Sequence, residues 1–177
     1  MREGSGKIGR NMTEEDQPSK GKMGMISQGQ FDILLPPACA WAEEQEQVIL
    51  LEGVPLSSAQ MADARKIGVL YPERVRVLNV TQIPVPEQPF LRTAAEATGF
   101  LSPSTLGLTL RYGIFVRSDF WGERRLVAHE LVHTLQYERL GGFAPFLKRY
   151  LYECLTVGYP DAPMEQEAVM TAEKVCM

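Results

Sequence analysis

The chain has 177 residues, 45% of them hydrophobic and 23% charged, a composition that builds one compact soluble core and is small for two. Its net charge of −4 and pI near 5.3 argue against the clustered Lys and Arg face that a nucleic acid or an anionic membrane demands. Cys39, Cys154 and Cys176 are odd in number, scattered, and include no CxxC pair, so neither a disulfide framework nor a thiolate metal knot is expected and a reducing cytoplasm fits. No stretch approaches the ~20 apolar residues of a membrane span. The run from Phe31 to Cys39 carries Asp32, Pro36 and Pro37 where a secretion signal needs an unbroken apolar core.

Residues 1–25 are rich in Gly, Ser, Lys and Glu with almost no large apolar side chain, which reads as a disordered tail ahead of a single domain over 26–177. Met12, Met23 and Met25 offer alternative starts within it. Trp41, Gln45, Val48, Ile49 and Leu50 then recur at helical spacing and stop before Gly53, predicting a helix over 38–51. Ser57 or Ser58 caps a second helix through Met61, Ala64, Arg65 and Ile67 that ends at Gly68. The β-branched run from Val75 to Val80, bounded by Pro72, Pro84 and Pro86, is a strand. Residues 87–98 make a short helix stopped by Gly99, and Ser102-Pro103-Ser104 is a loop.

From Leu106 to Arg117 the chain alternates. Leu106, Leu108, Leu110, Tyr112, Ile114 and Val116 give one apolar face, while Gly107, Thr109, Arg111, Gly113, Phe115 and Arg117 give a mixed one, as in an extended strand or tight hairpin. Its two glycines fit either a bend in a sheet or an edge where a second backbone docks. Ser118-Asp119 is expected to cap a helix over 121–140 closed by Gly141-Gly142. A helix over 143–156 carries Phe146, Tyr150, Cys154 and Val157 as its stripe, Gly158-Tyr159-Pro160-Asp161 turns, and Pro163 opens a last helix over 163–175. The expected fold class is α+β, mostly helical, with a short sheet whose edge strand precedes the helix over 121–140.

That helix holds His129-Glu130-Leu131-Val132-His133. Two imidazoles four residues apart lie one turn above each other on one face, so both reach a single metal ion with the Glu130 carboxylate beside them. The chain has only two histidines and both fall in this motif, which random ordering would produce on the order of once in a thousand trials. Zinc takes nitrogen, sulfur and carboxylate ligands in a tetrahedral shell, and a catalytic site keeps one position for water, so the pair calls for a third protein ligand. A continuation to HExxHxxGxxH fails at Gln136 and Arg139, and no third histidine exists, which leaves a carboxylate. Glu165 shares the apolar stripe of the last helix with Ala168, Val169 and Ala172, whereas Glu167 sits with Met170, Thr171 and Lys174; the inward Glu165 is the better candidate. Both carboxylates would also suit the positive end of the helix dipole without any metal.

The His129–His133 motif, a following helix bearing Glu165-x-x-Ala168, and a preceding alternating strand together resemble the gluzincin branch of zinc metallopeptidases, particularly its minimal one-domain bacterial members. The run from His129 to Glu138, with Gln136 three residues after the second histidine, also resembles bacterial HExxH domains of unassigned role. The resemblance implies Zn²⁺ on His129, His133 and Glu165, Glu130 as general base, and a peptide or protein substrate lying along the edge strand near Thr109–Phe115. Thr109, Arg111 and Gly113 on that strand, and Gln136 one turn past His133, are then expected to touch substrate. Larger gluzincins carry an Asp four residues after the ligand Glu, where this chain has Val169. They also supply a downstream His or Tyr for the oxyanion, a role open here to Tyr159, Tyr152, Tyr150 or Arg149.

Two functions from different classes follow. One is a cytoplasmic zinc-dependent metallopeptidase, or metallohydrolase, that attacks peptide bonds with an activated water. The other is a catalytically inactive metal-binding fold serving as a regulatory or interaction module. Glu130 separates them, because a module without turnover needs no base there. A DNA-associated HExxH protease fits less well, given the acidic pI and the lack of a cysteine ribbon.

Overall fold

The computed structural model describes residues 27–98 and 101–177, so the tail expected over 1–25 and the stop expected at Gly99 lie outside the described residues. The architecture is α+β, mostly helical, with a small four-stranded sheet. Helix α1 (Gln28–Glu52) begins well before the expected position 38 and runs through Pro36 and Pro37. Each proline removes a ladder donor, but the first turn is secured by a capping box: Ser27 Oγ accepts from the Gln30 N–H and Gln30 Oε1 from the Ser27 N–H. Phe31 and Leu35 also pack into the core, where a fully buried side chain of that size is worth roughly 1.5–3 kcal/mol.

Four strands follow in the sheet: β1 (Val54–Pro55), β2 (Arg76–Val80), β3 (Gly107–Leu110) and β4 (Gly113–Arg117). Their order is β1-β2-β4-β3, with β2 parallel to β4 and the other pairs antiparallel. Helix α2 (Ser58–Ile67) takes its caps from Ser57 and from Gly68, whose φ of 99° is left-handed, as the sequence predicts. Helices α3 (Pro89–Thr98), α4 (Arg124–Leu140), α5 (Phe143–Thr156) and α6 (Pro163–Cys176) complete the chain. Among the described residues no helix is long and apolar enough to cross a membrane.

The alternating stretch is a hairpin, and this changes its faces. Leu110 pairs with Gly113 and Leu108 with Phe115, so the tight turn at Arg111-Tyr112 transfers Phe115 to the face of Leu108 and Leu110. Those three pack against Trp41, Ile49, Phe146 and Leu147 of α1 and α5. Ile114 and Val116 point the other way, onto Ala64 of α2, Leu131 and Val132 of α4, and Ala168 of α6. The sheet thus lies between two helical layers, with β4 in its interior and β3 at its edge. The edge strand expected immediately before the motif helix is one strand further back.

The turn has a cost and a partner. Arg111 holds φ at 59°, a left-handed conformation costing roughly 1–2 kcal/mol for a residue with a Cβ. Glu46 of α1, with 0% exposure, accepts from Arg111 Nε (3.0 Å) and Nη2 (2.5 Å) and from the Tyr112 N–H (3.1 Å), while the guanidinium stacks on Phe143. Ser118 and Asp119 do not cap α4. Ser118 donates to Asn79 Oδ1 and the Val80 carbonyl, Asp119 pairs with Arg117, and the cap is Glu123, accepting from the Arg125 N–H.

Candidate metal centre

Helix α4 brings His129 and His133 to one face, and α6 lies against it, with Ala168 and Ala172 fully buried between them. The small side chains let the helices approach, and Glu165, one turn before Ala168, enters the space above the histidines. His129 Nε2 stands 3.3 Å from Glu165 Oε2, His133 Nε2 stands 3.1 Å from Glu165 Oε1, and the two Nε2 atoms are 3.1 Å apart. Ligands on one tetrahedral ion at ~2.0–2.2 Å stand roughly 3.3–3.5 Å from each other. Two nitrogens and a carboxylate 3.1–3.3 Å apart need to part only slightly to hold one metal ion, and among the described residues this is the group of His, Cys, Asp and Glu side chains placed to hold a metal.

The carboxylate is prepared from the opposite side. Tyr150 of α5 donates its hydroxyl to Glu165 Oε1 at 2.6 Å, leaving Oε2 the less engaged oxygen. Burial alone would raise the Glu165 carboxyl, but hydrogen bonds and charge from both imidazoles hold it well below the usual carboxylate range. Burial likewise disfavours a charged His133; the bond and charge of Glu165, with help from Glu130 and Gln136, outweigh it and push the imidazole up to about 9. Tyr150 is raised by burial and by the Glu165 charge, so it stays a neutral donor.

Glu130 points into the same cleft. Its Oε2 accepts from Thr109 Oγ1 of β3 at 2.7 Å, and a Cβ at Gly107 would stand 2.5 Å from its Oε1. Gly107 therefore makes room for the Glu130 side chain, and Gly113 does the same for Ile49 of α1; both helix-to-strand contacts differ from the bend and the docking edge expected. The cleft is lined by Thr105, Gly107, Thr109, Phe146, Tyr150 and Tyr159 around the ligating residues, and leaves about 30 Å³, room for about two waters.

The expected substrate residues separate. Thr109 lines the cleft, with its hydroxyl on Glu130. Arg111 sits in the β3–β4 turn against Glu46, and Gly113 lies in the interior strand under Ile49, so neither faces the site. Gln136 is 3% exposed: its amide spans His133 Nδ1 (2.8 Å), the Met164 carbonyl (3.0 Å) and Glu167 Oε2 (2.9 Å), which places it behind His133 and not on a substrate surface. Of the four candidates for an oxyanion donor, Arg149 pairs with Glu153 on the exposed side of α5 and Tyr152 is exposed. Tyr150 holds Glu165, and Tyr159 is 42% exposed but lines the cleft, where the surrounding protein and the charges of Glu165 and Glu130 raise its hydroxyl.

Two contacts at the site's margins escape a sequence reading. Arg124 grips Asp63 of α2 with two 2.8 Å bonds and reaches the Val175 carbonyl, fastening the start of α4 to the end of α6. Glu138 accepts from the Leu70 and Tyr71 N–H groups and from the Tyr112 hydroxyl. Compared with known proteins, the chain matches no family model, no curated protein and no solved structure.

Proposed function

We propose that the protein is a zinc-dependent hydrolase of peptide bonds. The observation that carries this reading is the convergence of His129, His133 and Glu165 on one point with Glu130 in the same cleft. Held by those three side chains, zinc would supply Lewis acidity and lower the pKa of a bound water toward neutrality. Glu130 accepts the proton of the attacking water and returns it to the departing amine. Thr109 fixes one Glu130 oxygen, so the base is oriented before substrate arrives. Tyr159, a protonated hydroxyl at the wall, donates to the oxygen on which charge develops. The free side of β3 is the natural rail for an extended peptide. A second cleft between α1, α3 and α5 is wholly apolar and offers no ligating group. A reducing compartment such as the cytoplasm belongs to the same proposal, from the scattered cysteine pattern of the sequence.

The reading as a metal-binding module without turnover draws on one observation, the small free space beside the ligands. Zinc content and cleavage of an unbiased peptide library decide between the two. Wild type is expected to hold about one zinc per chain and to cleave; Glu130→Gln is expected to keep the metal and lose roughly 10²–10⁴ in rate. Zinc uptake with no cleavage anywhere in the library favours the module, and full activity in Glu130→Gln assigns the base elsewhere.

A further inference from the structure

We propose that Gln136, backed by Glu167 and Arg139, commits His133 to bind metal through Nε2. The proposal rests on the metal reading above. An amide has an accepting and a donating end, and its neighbours decide which faces which. Two of the three neighbours of Gln136, the Met164 carbonyl and Glu167 Oε2, only accept hydrogen bonds. The NH₂ end must face them, using both of its hydrogens. The amide oxygen is therefore turned to His133 Nδ1 at 2.8 Å, and that nitrogen must carry a hydrogen to donate.

With Nδ1 as the donor, the metal-facing nitrogen of His133 is Nε2, 3.1 Å from both Glu165 Oε1 and His129 Nε2. The flipped amide would set its oxygen against two acceptors at a residue 3% exposed, where water cannot relieve the repulsion. Glu167 is itself held, accepting from Arg139 Nη1 at 2.6 Å, and the Arg139 side chain is 55% exposed. A relay thus runs from solvent to ligand through guanidinium, carboxylate and amide. His133, Gln136 and Arg139 follow at i, i+3 and i+6 on α4, while Met164 and Glu167 belong to α6, so the relay also ties together the two helices that carry the ligands. Partners of this kind orient a metal-bound imidazole and raise its basicity.

The test is chelator competition for zinc on the full chain, with the Nδ1–H proton of His133 followed by NMR in the zinc-loaded protein. Gln136→Met fills a similar volume without the acceptor and is expected to bind zinc about 10–100-fold more weakly and to lose the slowly exchanging Nδ1–H signal. The exchange Gln136→Glu with Glu167→Gln restores an acceptor for Nδ1–H and a donor for that acceptor but sets a carboxylate oxygen against the Met164 carbonyl, so it is expected to recover the signal and only part of the affinity. Glu167→Ala, at a partly exposed position, is expected to lose affinity severalfold and serves if Gln136→Met does not fold. Wild-type affinity in Gln136→Met, or in Glu167→Ala where that variant must serve, overturns the relay. So does failure of the folded exchange variant to regain the signal. A wild-type chain that takes up no zinc overturns the metal reading itself, an outcome distinct from zinc uptake that ignores Gln136.

Discussion

Two of the carboxylates that helices bury in this molecule, Glu46 and Glu165, are handed to distant partners that differ in kind. Glu46 meets the Arg111 guanidinium and a backbone N–H, a permanent cation and a fixed donor. Glu165 meets two imidazoles and a phenol, groups that are neutral unless a proton is added. A buried carboxylate without a cation is costly. At Glu46 the fold supplies that cation once and for all, so the pair is structural. At Glu165 the cation must come from outside, as a proton on His133 or, on the reading proposed above, as a metal.

The sharpest way to break the contrast is to remove the permanent cation. Arg111→Ala keeps a Cβ and so leaves the left-handed strain at this position in place. It also leaves Glu46 charged and fully buried, with the Tyr112 N–H as its remaining donor. Breaking a buried pair from one side costs about 3–5 kcal/mol, so destabilisation of about that size is expected in urea unfolding, with zinc affinity little changed in the folded fraction. Unchanged stability would mean that the Glu46 pair is not the fastening of the hairpin.

Removing the other carboxylate should move the opposite quantity. Glu165→Ala is expected to weaken zinc binding by more than ~100-fold, beyond what loss of an outer partner does, while melting of the metal-free protein shifts little above pH 9, where His133 has lost the proton that pairs with Glu165. The contrast would collapse if zinc affinity in Glu165→Ala matched that of Glu46→Ala.

How much of this was legible in the sequence depends on how far the controlling contacts reach. The caps of α2 at Ser57 and Gly68 are local chemistry, and the motif on α4 and the inward placement of Glu165 follow from helical spacing alone. The start of α1 was hidden because packing of Phe31 overrides what Pro36 and Pro37 signal locally. The hairpin was only half visible, since Arg111 takes a turn conformation for which Arg carries no signal and is held by a residue 65 positions earlier. A hint existed in α1: Ala42, Glu46 and Ile49 fall on one buried line, and a charge on such a line asks for a partner. Gln136 was noticed at the right spacing and given the wrong neighbour, because which side of α4 meets α6 is settled by tertiary packing.

The smallest effect concerns pH and tests whether a proton stands in for the metal. His133 lies at about 9 in the metal-free fold against 6.5 unfolded, so its contribution is fully present below 6.5 and is lost as pH rises through 9. Glu165 is held below its unfolded 4.5, so its contribution is present above 4.5 and fades as pH falls through its lower folded value. Both shifts report one interaction and count once. Metal-free protein should therefore lose on the order of 2–3 kcal/mol between pH 6.5 and pH 9, whereas zinc affinity should rise over the same interval, since the metal displaces the proton. Urea unfolding at pH 6, 7, 8 and 9, with and without chelator, measures this directly. A flat profile in the chelated protein would show that His133 carries no proton at neutral pH, and Glu165 would then need a cation other than the one assigned here.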